Sequence, residues 1–342
     1  MIASSQPARS AKFALHLFLA LLFAFGSEII LWIDPFAHPF HEWILLAIGY
    51  WALAAIILDW LARYRVMTFF GLVAAAGVYG MLNALLLNPQ MALIDIPRTL
   101  ITRVMGAHPL MGLLALAVFS GMMLGIRGRV RRVILLILFA LLGVGWGGWA
   151  RWSGAGTIAD SYGVTPAFDA ILIVIGGVMI AAIAAAWWFW RSRTPLLTET
   201  IPPGKSPLKL SPLAYVIALG GLAVNGIYHA ANGHFDSTAF TIIITLVIFV
   251  WAILWFSTRK KGIALVERIG GESDPPLYWL VCALVLLAGG VIGFNLARQP
   301  DAGDPAAWYG VIFTAAGLVW LPALMLVVGG RAMGRRARSL RL

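Results

Sequence analysis

Cysteine is almost missing from this chain of 342 residues. The one cysteine, Cys282, excludes an intrachain disulfide and any metal cluster built on several cysteine ligands. Because Cys282 lies inside an apolar segment, we expect a small side chain that packs in the protein interior.

Charge is also scarce. Charged residues make up 11% of the chain and hydrophobic residues 61%, which excludes an ordinary soluble domain. A helix that crosses a bilayer needs roughly 20 apolar residues, and the sequence has ten such runs. Little chain is left for a soluble catalytic domain, and neither a phosphate-binding glycine loop nor a Ser/His/Asp arrangement is recognisable. We therefore predict an all-α fold, a polytopic integral membrane bundle of about ten transmembrane helices.

The ten predicted spans cover residues 13–33, 43–62, 67–87, 107–126, 133–152, 167–190, 212–230, 238–257, 277–297 and 307–329. Lys and Arg fall almost entirely on one side of these spans. The exceptions are Arg98, Arg103, Arg151 and Arg298. The positive-inside rule then places both termini in the cytoplasm and the chain in the inner (plasma) membrane of a cell. Near the inner face, Asp59 lies one helical turn before Arg63, which predicts an ion pair.

The net charge of +11 follows from the same asymmetry. Basic loops at the inner face are attracted to anionic lipid, so the lipid bilayer accounts for the charge. We expect no nucleic acid partner.

The spans divide into units around a proline-rich break. The predicted units are a first four-helix unit at 1–130 with an outer interfacial helix at 90–106, a helical hairpin at 131–193, a cytoplasmic Pro-rich linker at 194–211, and a second four-helix unit with a basic C-terminal tail at 212–342. The two four-helix units follow a similar plan and start from the same side of the membrane. This similarity indicates a parallel internal repeat.

The segment at 90–106 has the pattern of an amphipathic helix. Polar residues recur at spacings of three and four, apolar residues fill the positions between them, and Pro97 would lie in the first turn. We expect this helix to lie in the outer interface. Its role is open between a lid over helix ends and a contact of Arg98 and Arg103 with an anionic group.

Five of the six histidines fall at outer helix ends, namely His38, His41, His108, His229 and His234. Acidic residues share that side, and a carboxylate that orients an imidazole is typical of a metal site. Two imidazoles on adjacent helices also ligate haem iron. One hypothesis is a transition metal bound by His41, His108, His229, His234 and Asp236. Another is a b-type haem contacted by His38, His41, His108 and His234. The alternative to both is that these histidines only cap the interface.

Three short motifs follow one another in the second to fifth spans. They are His38-Pro39-Phe40-His41, then His108 before a Leu/Ala-rich stretch, then the glycine-rich Gly145-Trp146-Gly147-Gly148. In their order and spacing, these spans resemble the uncharacterised four-helix membrane domain family DUF2231, over about a third of the chain. Members of that family occur near cytochrome-like partners. The resemblance therefore implies a redox setting and marks His38, His41 and His108 as its site.

A few uncharged or acidic polar side chains lie inside the spans. Glu28 is the one carboxylate well inside a span, where a charge costs a few kcal/mol unless it is paired, protonated or beside water. It is either a proton relay or cation ligand, or a hydrogen-bonded interface residue. With Glu28, a transport path would be lined by Asn83, Asn225 and Asn295. Gly220-Gly221 indicates a break in the seventh helix on such a path.

Three functions are compatible with these features. We favour an integral membrane subunit of a redox or other multi-subunit assembly, whose outer histidines contact haem, metal or a cofactor-bearing partner. Such a subunit would have no catalytic activity of its own, and its partners would be other membrane subunits. The alternative is a small-solute transporter or channel. An intramembrane enzyme that acts on lipid ranks last, because no nucleophile and base are recognisable.

The predicted orientation can be tested by cysteine labelling. In a Cys282→Ser background, Ser206→Cys should react with a membrane-impermeant maleimide only after permeabilisation, because its loop belongs to the basic side. Ala302→Cys, in a loop of the other side, should react in intact cells. The reverse labelling pattern would contradict the orientation.

Overall fold

A computed structural model of the chain describes residues 9–31, 38–126, 128–150, 167–191, 206, 208–257, 264, 275–297 and 305–339. Across these ranges the regular structure is helical, and they contain no strand. Within the described part of the chain, ten helices are long and apolar enough to cross a membrane. The predicted all-α polytopic bundle is therefore confirmed.

We number the membrane helices in chain order. They are α1 (Arg9–Ala24, continued by a π-helix, Phe25–Ile30), α2 (Phe40–Arg63), α3 (Phe69–Leu86), α4 (Leu100–Leu124), α5 (Arg129–Ala150), α6 (Ala167–Arg191), α7 (Pro212–Ala231), α8 (Ser237–Ser257), α9 (Pro276–Leu296) and α10 (Pro305–Ser339). The first turns of α4, Leu100–Ala107, are also π-helical.

The first four helices form the interior of the protein. α1 packs against α2 and α4, and α3 packs against α2 and α4. Between 56% and 78% of each of these spans is buried, against 17% to 39% for α5 to α10. The outer helices expose large apolar side chains such as Ile137, Ile227 and Val311, which suits contact with lipid.

The last four helices pack mainly against earlier ones. α7 packs against α2, α8 against α3, α9 against α5, and α10 against the start of α4. Helices α7, α8 and α10 therefore pack on the first four helices, while α9 packs on the helices of the hairpin. Glycines on α5 and α9 let the backbones of these two helices approach each other closely. The parallel repeat stays a prediction.

The expected interfacial helix at 90–106 is wrong as a single helix. One turn, Pro89–Ala92, is followed by a bend, and the chain becomes helical again just before Leu100. Pro97 has no N–H to donate and disfavours a helical conformation in the residue before it. The amphipathic residues after Pro97 thus become the start of α4.

The predicted break in the seventh helix is also wrong, because α7 is continuous from Pro212 to Ala231. Irregular helix occurs instead in α1 and at the start of α4, where the two π-helical segments lie. A π-helical turn is wider than an α-helical one and is frequent at functional sites. Every residue of Phe25–Ile30 is buried.

At the face where the chain begins, Asp59 joins three parts of the protein. Its carboxylate accepts two hydrogen bonds from Arg63, at 2.8 and 2.9 Å, which confirms the predicted ion pair. It also accepts the backbone N–H of Leu210 at 2.8 Å. Lys12 of α1 donates to the carbonyl of Lys209 at 2.7 Å. The end of the Pro-rich linker is thereby bound to α1 and α2, while residues 194–205 and 207 lie outside the described ranges.

The α5–α9 contact provides a test of this packing. A methyl group at Gly147 would meet the carbonyl oxygen of Gly290, so Gly147→Ala should lower stability by about 1–3 kcal/mol. Gly177 of α6 has open space around its Cα, so Gly177→Ala should be neutral or stabilising. The thermal midpoint of tryptophan fluorescence in detergent measures both. Equal midpoints for the two variants would contradict the close contact.

Candidate functional site

A cluster of buried polar side chains lies between α1, α2 and α3. We call it the polar cluster, and its members are Ser27, Glu28, Tyr50, Tyr79, Asn83 and Asn88. None of them is more than 4% exposed. Polar groups at this depth have no solvent to bond with, so their hydrogen bonds must be made within the protein.

Glu28 is the one acidic member of the polar cluster, and its two carboxylate oxygens differ. Oε1 accepts a hydrogen bond from the hydroxyl of Tyr50 and another from Nδ2 of Asn88, the latter at 2.8 Å. Oε2 is buried and has no hydrogen-bond partner. Glu28 itself is 1% exposed. One oxygen is thus bound to the protein, and the other is left for a ligand or a proton.

Asn83 connects the members of the polar cluster. Its Nδ2 lies 2.9 Å from the hydroxyl of Tyr79, 3.0 Å from that of Tyr50 and 3.1 Å from that of Ser27. Its Oδ1 accepts a hydrogen bond from Nδ2 of Asn88 at 2.9 Å. The cluster is therefore one continuous network across three helices.

Two local features bring the cluster together. The ring of Tyr79 stacks on Phe23 with centroids 3.9 Å apart, and it occupies space that a side chain at Gly112 of α4 would fill. The wider turn of the π-helix places the consecutive residues Ser27 and Glu28 in the interior, which a regular helix does less readily because neighbours point 100° apart.

His108 borders the polar cluster from α4. Its ring is 6% exposed, and Nδ1 lies 3.5 Å from the hydroxyl of Ser27. The two arginines expected to contact an anion are bound elsewhere in the chain: Arg103 donates to the carbonyl of Met91, and Arg98 forms an exposed ion pair with Asp95 at 3.0 Å. Arg98 and Arg103 thus do not form an open anion site in this structure.

A second polar group surrounds a small cavity at the end of the bundle where α2 and α4 begin. We call it the vestibule, and its lining residues are His38, Glu42, Leu45, Leu46, Leu87, Asn225, Tyr228 and His229. The cavity has room for about one water molecule. Residues of α2, of the α3 C-terminus and of α7 meet there.

Glu42 is held in the vestibule by both of its oxygens. The hydroxyl of Tyr228 donates to Oε1 at 2.7 Å, and Nδ1 of His38 lies 2.5 Å from Oε2. Nε2 of His41 lies 3.2 Å from the Tyr228 hydroxyl. Tyr228 therefore holds the Glu42 carboxylate against α7, and neither of these two contacts involves a Lys or Arg side chain.

Leu87 and Asn88 connect the vestibule with the polar cluster. Nε2 of His229 donates to the carbonyl of Leu87 at 2.9 Å, while the next side chain, Asn88, donates to Glu28. On the other side of the cavity, Nδ2 of Asn225 lies 3.0 Å from the carbonyl of Leu45. Leu87 thus contacts the vestibule, and the next residue, Asn88, contacts the polar cluster.

The structure separates the histidines that were expected to share a metal or haem. His108 lies beside Ser27, His41 is exposed, and the ring of His234 is exposed with its centroid 5.9 Å from that of His229. Asp236 caps α8 by accepting the N–H of Ala239 at 2.7 Å. Among the described residues, no group of three or more His, Cys, Asp or Glu could hold a metal ion. The described residues therefore do not assemble the predicted metal set, and the haem hypothesis stays a prediction.

The residues expected along a transport path fall in three places. Glu28 and Asn83 belong to the polar cluster, and Asn225 lines the vestibule. Asn295 is exposed on α9, where it donates to the carbonyl of Val291 at 2.9 Å. Three of the four residues thus lie in two connected sites, and the fourth lies apart from them.

Sequence reasoning missed the aromatic hydroxyls and one asparagine. Tyr50 and Tyr79 lie in the middle of apolar spans, and Tyr228 lies near the end of one. Asn88 is the second residue after the end of α3. A tyrosine in a span usually suits a membrane interface, so its sequence position gives a weak signal. The signal available in the sequence was that several polar residues of neighbouring spans lie at equal depth in the membrane.

Comparison with protein-family models, with curated proteins and with solved structures gives no match for this chain. The resemblance of α2 to α5 to the DUF2231 family therefore stays a prediction.

The network around Asn83 can be tested by replacement. Asn83→Leu should lower stability by about 1–3 kcal/mol, because buried hydroxyl and amide groups lose their partner. Asn295→Leu is the matched control and should change stability by less than about 0.5 kcal/mol, since Asn295 is exposed on α9. Thermal unfolding in detergent gives both values. A neutral Asn83→Leu would contradict the hydrogen-bond network.

Proposed function

We propose that this protein carries a proton or a small monovalent cation across the membrane, and that Glu28 binds it. The observation that carries the proposal is the Glu28 carboxylate, buried within a membrane span with Oε2 lacking a partner. Ionisable groups inside a membrane are rare because they are costly, and by default they mark an ion path or a proton relay.

The surroundings of Glu28 favour a cation over other solutes. Its hydrogen-bond partners in the described structure, Tyr50 and Asn88, are uncharged. An ionised carboxylate would be buried there at a cost of several kcal/mol without an opposite charge. A bound proton or cation removes that cost, because it neutralises the carboxylate where it lies.

The two ends of α1 differ in a way that favours a carrier over an open pore. Toward the vestibule, Glu28 is joined to His229 through Asn88 and Leu87. Toward the other face, the buried side chains of α1 are apolar down to His16, among them Leu19. An ion is therefore blocked on that side in this conformation, as expected for a protein that opens to the two faces in turn.

The orientation of the chain completes the proposal. Basic loops on one side of the ten spans support termini in the cytoplasm, by the positive-inside rule. The vestibule then faces the outside, and the cation moves between the vestibule and the cytoplasmic face. The redox-subunit function that the sequence favoured stays a prediction, and the histidines on which it depends lie in separate surroundings.

Flux into proteoliposomes tests this function. Liposomes that enclose a dye sensitive to the ion tested are given an inward H⁺, Na⁺, K⁺ or NH₄⁺ gradient, with a diffusion potential set by a second permeant ion. The wild-type protein should raise the flux of one of these ions above that of empty liposomes. Glu28→Gln should reduce it about tenfold or more, because the charged contact is lost.

Asn295→Ala is the control, since Asn295 lies on α9 outside both sites. It should keep the wild-type flux. The proposed function is wrong if no ion moves faster than in empty liposomes, or if Glu28→Gln conducts like the wild type.

A further inference from the structure

The vestibule contains an unused hydrogen-bond acceptor, the Nδ1 atom of His229. The carbonyl of Leu87 can only accept, so the 2.9 Å bond requires that His229 donates through Nε2–H. In the neutral ring the other nitrogen, Nδ1, then carries a lone pair. Nδ1 is buried without a partner, and the residue is 5% exposed. A buried acceptor without a partner is unfavourable, so a ligand that donates a hydrogen bond to Nδ1 would be stabilised there.

The same cavity carries a negative charge. Glu42 lines it, with Oε1 accepting from the Tyr228 hydroxyl at 2.7 Å and Oε2 lying 2.5 Å from Nδ1 of His38. A ligand between Glu42 and His229 would therefore meet a carboxylate and an imidazole lone pair. Both favour a cation that donates hydrogen bonds.

The size of the cavity further restricts which ligands could bind there. The cavity holds about one water-sized particle, which excludes sugars, amino acids and larger amines from its present shape. Na⁺ and K⁺ have no N–H to donate, and a hard cation prefers oxygen ligands to an imidazole nitrogen. A transition metal needs more ligands than the described His, Cys, Asp and Glu residues bring together.

We infer that the vestibule is a binding site for an ammonium ion, held by an N–H bond to Nδ1 of His229 and by the charge of Glu42. Water is the other particle of this size, and it lacks the positive charge that Glu42 favours. The inference rests on the proposed function in that it names the cation that Glu28 would receive. Leu87 and Asn88 lie between the two sites, so the vestibule would load the cation before it reaches the polar cluster.

Thermal stabilisation of the detergent-purified full chain tests binding without any transport step. Ammonium chloride is compared with potassium chloride at equal ionic strength, with tryptophan fluorescence as the readout. We expect a saturable rise of the midpoint with ammonium only. His229→Gln keeps a side-chain N–H for the Leu87 carbonyl and removes the acceptor at Nδ1. It should weaken apparent ammonium affinity about tenfold or more, and Glu42→Gln should do the same.

Two variants serve as controls. His234→Gln changes an exposed neighbouring histidine and should leave the ammonium effect unchanged. Glu28→Gln should also keep the ammonium effect of the vestibule while it abolishes flux. If ammonium and potassium act alike, or if His229→Gln binds ammonium like the wild type, the vestibule holds water only and the inference is overturned. Ammonium binding without any ion flux would instead overturn the proposed function and leave the vestibule site standing.

Discussion

A polar group inside a bilayer finds no water, so the protein must supply every hydrogen bond that it needs. The polar cluster answers this constraint with one network in which Asn83 contacts hydroxyl groups from α1, α2 and α3. Because Asn83 of α3 bonds to Ser27 beside α1 and to Tyr50 of α2, the network fixes how these three helices face one another. Helices α7, α8 and α10 then pack against this interior.

The polar cluster and the vestibule each contain one buried atom for which this constraint is not met. Oε2 of Glu28 and Nδ1 of His229 are both buried without a partner. One is an acidic oxygen and the other a basic nitrogen, and they lie on either side of Leu87 and Asn88. A cation or proton would satisfy both kinds of atom, as the proposed ion path requires.

The histidines show how much of a site a sequence pattern can predict. Their recurrence at outer helix ends predicted a shared site, yet His108 lies beside Ser27 while His38 and His229 line the vestibule. Equal depth along the membrane normal is readable from position in a span. The direction in which a side chain points around its helix depends on the packing of that helix, which one span alone does not contain.

The sequence by itself determined the ten spans, because about 20 apolar residues in a row suffice to cross a bilayer whatever lies beside them. It also determined the Asp59–Arg63 pair, because residues four apart share one helix face. Only the tertiary structure decided that Glu28 meets Tyr50 and Asn88, and that α7, α8 and α10 pack on the first four helices while α9 packs on α5. These contacts join residues far apart in the chain, and their geometry follows from helix rotation and close packing.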